Sequence, residues 1–87
     1  MQFEKHVRVR QEKFGAVVFE TLSEKLFVTN ETGARILRLL EERKSVDAVA
    51  ADLSRVYRKE PVGIREEVQE FVQKLQTNGI MMKEPQE

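Results

Sequence analysis

A chain of 87 residues suffices for one domain with a small core and is too short for a second. Lysine plus arginine balance aspartate plus glutamate at 15 each, so no overall field favours a nucleic acid or an anionic membrane, while 40% hydrophobic and 34% charged residues describe a folded domain with a charged surface. The lack of cysteine excludes disulfides, thiolate metal sites, iron–sulfur clusters and a cysteine nucleophile; with no secretion signal in Met1 to His6, a cytoplasmic location is expected.

Val7-Arg8-Val9-Arg10 alternates apolar and charged residues with the period of a strand that has one face on the core. Phe14 to Thr21 is richer in β-branched and aromatic residues. Its two faces, Phe14, Ala16 and Val18 against Val17, Phe19 and Thr21, are both mainly apolar, which predicts a central strand. Gly15 predicts a bulge or a close backbone approach. After the polar break Leu22-Ser23-Glu24, Lys25-Leu26-Phe27-Val28 reads as a short return strand whose outer edge is free, with Lys25 a residue type that discourages unwanted pairing there.

At Asn30 the hydrophobic period changes from two to three and four. Asn30 predicts a helix cap, Glu31 suits the positive end of the helix dipole, and Ile36, Leu37 and Leu40 form the inward face to about Glu42, with Gly33 and Ala34 small enough for close packing. Ser45 caps a second helix with the apolar stripe Val46, Val49, Ala50, Leu53, Val56 and Tyr57. Pro61 opens a third, which Asn78-Gly79 stops. In the third helix Ile64, Val68, Phe71 and Leu75 share a sector and predict the core face. Val72 falls to one side with Arg65, Gln69 and Gln76, an apolar-to-neutral flank suited to a ligand; Glu67 and Lys74 make the other flank charged. Ile80 to Met82 predicts a short extended piece packing back, and residues 83–87 a frayed tail. The expected fold is α+β and winged-helix-like: a three-stranded antiparallel sheet followed by three helices, in one domain over residues 1–87.

Chemistry is sparse. His6 is the single histidine and has no evident partners, the glutamates of the third helix read as a solvated face, and no phosphate loop, nucleophile motif or metal-spaced cluster occurs. The chain reads as non-enzymatic, with no cofactor, no metal and no membrane partner. A helix-turn-helix binding DNA through Arg55, Arg58, Lys59 and Arg65 is the competing use of such a fold, opposed by Glu66, Glu67 and Glu70 near the start of the reading helix and by the zero net charge. Strand addition is the other use: an extended peptide bonds to the free edge of the third strand while alternate side chains enter a cleft against a helix.

Three segments together carry a family resemblance: Val7-Arg8-Val9-Arg10-x-Glu12-x-Phe14-Gly15-Ala16-x-Val18, then Leu26-Phe27-Val28-x-Asn30-x-Thr32-Gly33-Ala34-x-Ile36-Leu37-x-Leu39-Leu40, then Ser45-Val46 opening a helix. In order and spacing they resemble the PqqD-like family, and the opening is also similar to the MftB peptide chaperones of mycofactocin biosynthesis. The resemblance implies a RiPP recognition element, a peptide chaperone that binds the leader segment of a ribosomally made precursor and presents it to a radical SAM maturase. It further implies that the leader is added beside Lys25, Leu26, Phe27, Val28 and Thr29 and walled by Arg65, Val68, Gln69, Val72 and Leu75. Self-association into a homodimer is left open.

Overall fold

The computed structural model describes residues 2–83, so the tail expected at 83–87 lies, beyond Lys83, outside the described residues. Strands β1 (Val7–Glu12), β2 (Gly15–Glu20) and β3 (Lys25–Thr29) form an antiparallel sheet in the order β1-β2-β3, followed by helices α1 (Glu31–Glu41), α2 (Val46–Tyr57) and α3 (Pro61–Thr77). This is the α+β, winged-helix-like arrangement that the hydrophobic periods predict. Among the described residues no helix is long and apolar enough to cross a membrane.

The register explains which side chains enter the core. Val9 lies opposite Val18 and Val18 opposite Phe27, so one face of the sheet carries Val7, Val9, Ala16, Val18 and Phe27. Ala16 and Val18 are buried on that face beneath Ala34, Ile36, Leu37 and Leu40 of α1. The helices cover this one face only. β2 is the central strand, as its composition predicts, but its outer face is uncovered: Phe19 is exposed, Val17 is half-buried, and Phe14, expected to open the strand, sits outside it and in solvent.

Local chemistry sets the element ends. The Asn30 side chain accepts from the Gly33 amide at 2.9 Å and the Ser45 hydroxyl from the Ala48 amide at 3.1 Å, two N-caps that satisfy otherwise orphaned donors. Pro61 occupies the first turn of α3, where its missing N–H costs nothing. Gly79 takes a positive φ of 74° just past the end of α3, and the Ile80 amide returns to the Leu75 carbonyl at 2.8 Å. That turn sends Ile80 and Met81 into the core, where Met81 bridges to Phe3.

The core closes with Val49, Ala50 and Leu53 of α2 against Ile64, Val68, Val72 and Leu75 of α3. Leu37 and Leu40 of α1 sit at its centre, each contributing about 2–3 kcal/mol by burial. At its C-terminal end α2 departs from its expected stripe: Val56 and Tyr57 are exposed, because the helix runs past the packed layer before Arg58 ends it in a left-handed cap.

Candidate functional site

Each edge of the sheet has a different neighbour. Beside the start of β1, Phe3 pairs with Met81, the Glu4 amide donates to the Ile80 carbonyl and the Met82 amide to the Gln2 carbonyl. β3 pairs with β2 alone among the described residues, so its other side offers unpaired N–H and C=O groups along Lys25–Thr29. Leu26 and Val28 point to the bare outer face and are 61% and 62% exposed; Lys25, Phe27 and Thr29 point towards the helices.

Two glycines fix where this edge runs. Gly15 has φ +154°, and a methyl group there would fall on the Thr29 carbonyl oxygen, so the backbones of β2 and the β3–α1 junction touch at that point. A methyl at Gly33 would come within 2.7 Å of the Thr29 Cβ, which lets the first turn of α1 sit directly against the end of β3. At the other end, Glu20 organises the β2–β3 turn. Its carboxylate accepts from the Leu22 amide at 2.9 Å and the Ser23 amide at 2.8 Å, from the Ser23 hydroxyl, and lies 3.1 Å from His6 Nε2. The Ser23 hydroxyl foremost, then these backbone amides and His6, hold its pKa below the ordinary carboxylate value against the opposing effect of desolvation.

Between β3, α1 and α3 lies a cleft of about 410 Å³ lined by Val28, Thr29, Asn30, Thr32, Gly33, Ile36, Glu67 and Phe71. An unpaired edge thus adjoins a recess with an apolar floor, the geometry that strand addition requires. Among the described residues Glu67 is the one charged side chain lining it.

The residues expected to wall this cleft are placed elsewhere. Val68, Val72 and Leu75 are buried in the core, with Val72 only 5% exposed. Arg65 donates through Nε to Asp47 Oδ1 of α2 at 2.5 Å, and Gln69 is exposed and does not line the cleft. At ~100° per residue the buried positions centre between Ile64 and Val72, which puts Phe71 and Glu67 on one flank and Arg65, Gln69 and Gln76 on the other. Packing of α3 on α2 draws the Val72 flank inwards and leaves Phe71 half-buried at the rim. The flank of α3 that borders this cleft is thus the one carrying Glu67 and Phe71. No local signal in the sequence marks it: Phe71 and Val72 are adjacent apolar residues, and which of them is drawn into the core is set by how α3 packs on α2.

The cations that would contact DNA are partly engaged. Arg55 Nη2 lies 3.0 Å from Asp52 Oδ1, Arg65 pairs with Asp47, and Asp52 also takes a two-pronged contact from Arg35 at 2.6 and 3.2 Å. The hydrogen bond from Arg35 leads in lowering the Asp52 pKa, with burial opposing. No group of metal-ligating side chains occurs among the described residues.

Comparison with known proteins agrees with this fold. A model of the family described as coenzyme PQQ synthesis protein D (PqqD) matches residues 15–81. Three solved structures superpose closely. A lasso peptide synthetase B1 complexed with the leader peptide has 25% identity and a TM-score of 0.84, over 91% of this chain and 93% of that one. TbiB1 in complex with the TbiA(beta) leader peptide has 17% identity and a TM-score of 0.91, over 99% and 100%. The PqqD truncation of Methylobacterium extorquens PqqCD, a stand-alone RiPP recognition element in solution, has 19% identity and a TM-score of 0.78, over 94% and 87%. No curated protein matches the chain in sequence.

Proposed function

Since the chain belongs to the PqqD family, we propose that it is a RiPP recognition element: it binds the leader segment of a ribosomally made precursor peptide as a fourth strand along Lys25–Thr29 and presents the remainder to a radical SAM maturase. The observation that carries this reading is the unpaired β3 edge beside the cleft of Ile36, Glu67 and Phe71. Backbone hydrogen bonds to the edge supply sequence-tolerant affinity, and alternate side chains of the peptide enter the cleft. No step of chemistry is assigned to the chain. Its contribution to the modification is a raised local concentration of substrate at the enzyme. Two relatives of the same fold were solved with leader peptides, which supports the ligand class.

Titration of the isotope-labelled protein with a precursor leader peptide, and separately with duplex DNA at two salt concentrations, tests the reading. Saturable amide shifts at Lys25–Thr29 and Phe71, little changed by salt, are expected. Absence of peptide binding together with steeply salt-dependent DNA binding would overturn it in favour of a nucleic-acid-binding winged helix. Co-elution of protein, leader and a radical SAM enzyme in size-exclusion chromatography checks the partner.

A further inference from the structure

The cleft has a charge axis, and its direction follows from the topology. α3 ends near the start of β1, because Met81 bridges Phe3 and Ile80 accepts from Glu4. Val7 at the start of β1 lies opposite Glu20, and Glu20 lies opposite Lys25. The C-terminal end of α3 therefore lies at the end of the sheet that carries Lys25, while Glu67 lines the cleft beside Thr29 at the other end. Lys74 lies on the same flank as Glu67 and Phe71, seven residues on from Glu67, or ~10 Å along a helix. Lys25 is four residues back from Thr29, ~13 Å along a strand, and points to the helix side of the sheet. Thr29 adjoins Asn30 and Glu31, so the first-turn carboxylate of α1 adds negative charge at the Glu67 end and offsets the positive end of that helix. Among the described residues no ion pair engages Lys25, Lys74, Glu31 or Glu67.

We propose that this groove selects its peptide by charge order: a basic residue beside Glu67, an apolar side chain seated against Ile36 and Phe71, and an acidic residue beside Lys25 and Lys74. An added strand that continues the antiparallel sheet enters at Thr29 and leaves at Lys25, and residues facing the cleft alternate. The order in the ligand is then basic-x-apolar-x-acidic from N- to C-terminus, and the reverse order places like charges together at both ends. This specificity rests on the peptide-binding reading above and adds to it a direction and a pattern.

Two synthetic peptides of about ten residues, alternating threonine and valine around a central Lys-Thr-Leu-Thr-Glu or Glu-Thr-Leu-Thr-Lys, test it by fluorescence anisotropy and amide shifts. At low salt the first should bind about fivefold more tightly. The difference should collapse at about 0.5 M salt, and the preference should be lost in the double variant Glu67→Lys/Lys74→Glu, in which Glu31 and Lys25 offset the exchanged charges and whose exposed positions leave the fold intact by circular dichroism. Equal affinity for both orders in the unaltered protein, or an unchanged preference in the double variant, overturns the charge-order inference and leaves peptide binding standing. Failure of both peptides to move the β3 amides overturns strand addition itself.

Discussion

The two flanks of α3 border recesses of nearly the same size, about 400 Å³ towards α2 and about 410 Å³ towards β3. Volume does not separate them. The first lies between two helices whose backbone groups bond within each helix, it is floored by Ala50, Ala51 and Pro61, and its rim is tied by Asp47 and Arg65. The second has a strand edge for a wall, so it combines apolar side chains with backbone donors and acceptors that have no partner among the described residues. A recess of this size becomes a peptide site when one wall can extend a sheet. Perturbing each side separately shows whether that distinction holds.

The largest effect is expected at Gly15, on the β3 side. Gly15→Ala puts a methyl group on the Thr29 carbonyl at a φ of +154°, and should cost about 3 kcal/mol of stability and displace the β3 edge. Urea unfolding measures the first, and loss of leader binding under conditions where the protein is still folded measures the second. A variant with full stability and full binding would show that β3 is not held at that contact.

Next come the neighbours Phe71 and Val72. Val72→Ala empties core volume between α2 and α3 and should cost about 2 kcal/mol of stability while leaving peptide affinity unchanged in the folded fraction. Phe71→Ala should do the reverse: a smaller loss of stability and about tenfold weaker leader binding by calorimetry. If Val72→Ala alone weakened binding, the ligand would lie on the α2 flank.

That pair also marks how far the sequence carried. Three strands, three helices, both side-chain caps and the Asn78-Gly79 stop were legible because each has a local cause: a period of two or of three and four, an Asn or Ser beside a free amide, a glycine with positive φ. The β3 edge was legible for the same reason, as a short strand after a turn. The facing flank of α3 was not. Ile64, Val68, Phe71, Val72 and Leu75 span more of the helix than one core face holds, and which of them stays out depends on how α3 rolls against α2, a tertiary fact. For the same reason the bare outer face of β2 is not legible in the sequence: Phe19 and Val17 are fit for a core, and only the placement of the helices on one side leaves that face uncovered.

Acid should act on the β3 side through Glu20. Its pKa is lowered in the folded protein, so its stabilising contribution is fully present above the unfolded value near 4.5 and is lost as pH falls through the lower, folded value. The protection of the Leu22 to Leu26 amides, measured relative to their intrinsic exchange rates at each pH, should therefore fall as the pH drops below about 4.5, and Ser23→Ala, which removes the leading cause of the shift, should shrink this pH-dependent stabilisation. Protection that is constant through that range in the unaltered protein would remove Glu20 as the clasp of the turn.

The smallest effect is expected on the α2 flank, at Arg65. Its pair with Asp47 is short at 2.5 Å, but the two side chains are 51% and 74% exposed, so water screens the attraction and ordering two flexible side chains offsets part of it. Arg65→Ala should shift stability by about 0.5 kcal/mol or less. Leader affinity should stay within about twofold, a change of ~0.4 kcal/mol. The two readouts together give the test its force. A variant that keeps its stability and loses about tenfold in leader affinity would place the peptide against Arg65 and make the α2 side the functional groove. With both unchanged, Arg65 serves only to tie two helices, and specificity is left to the flank that carries Glu67 and Phe71.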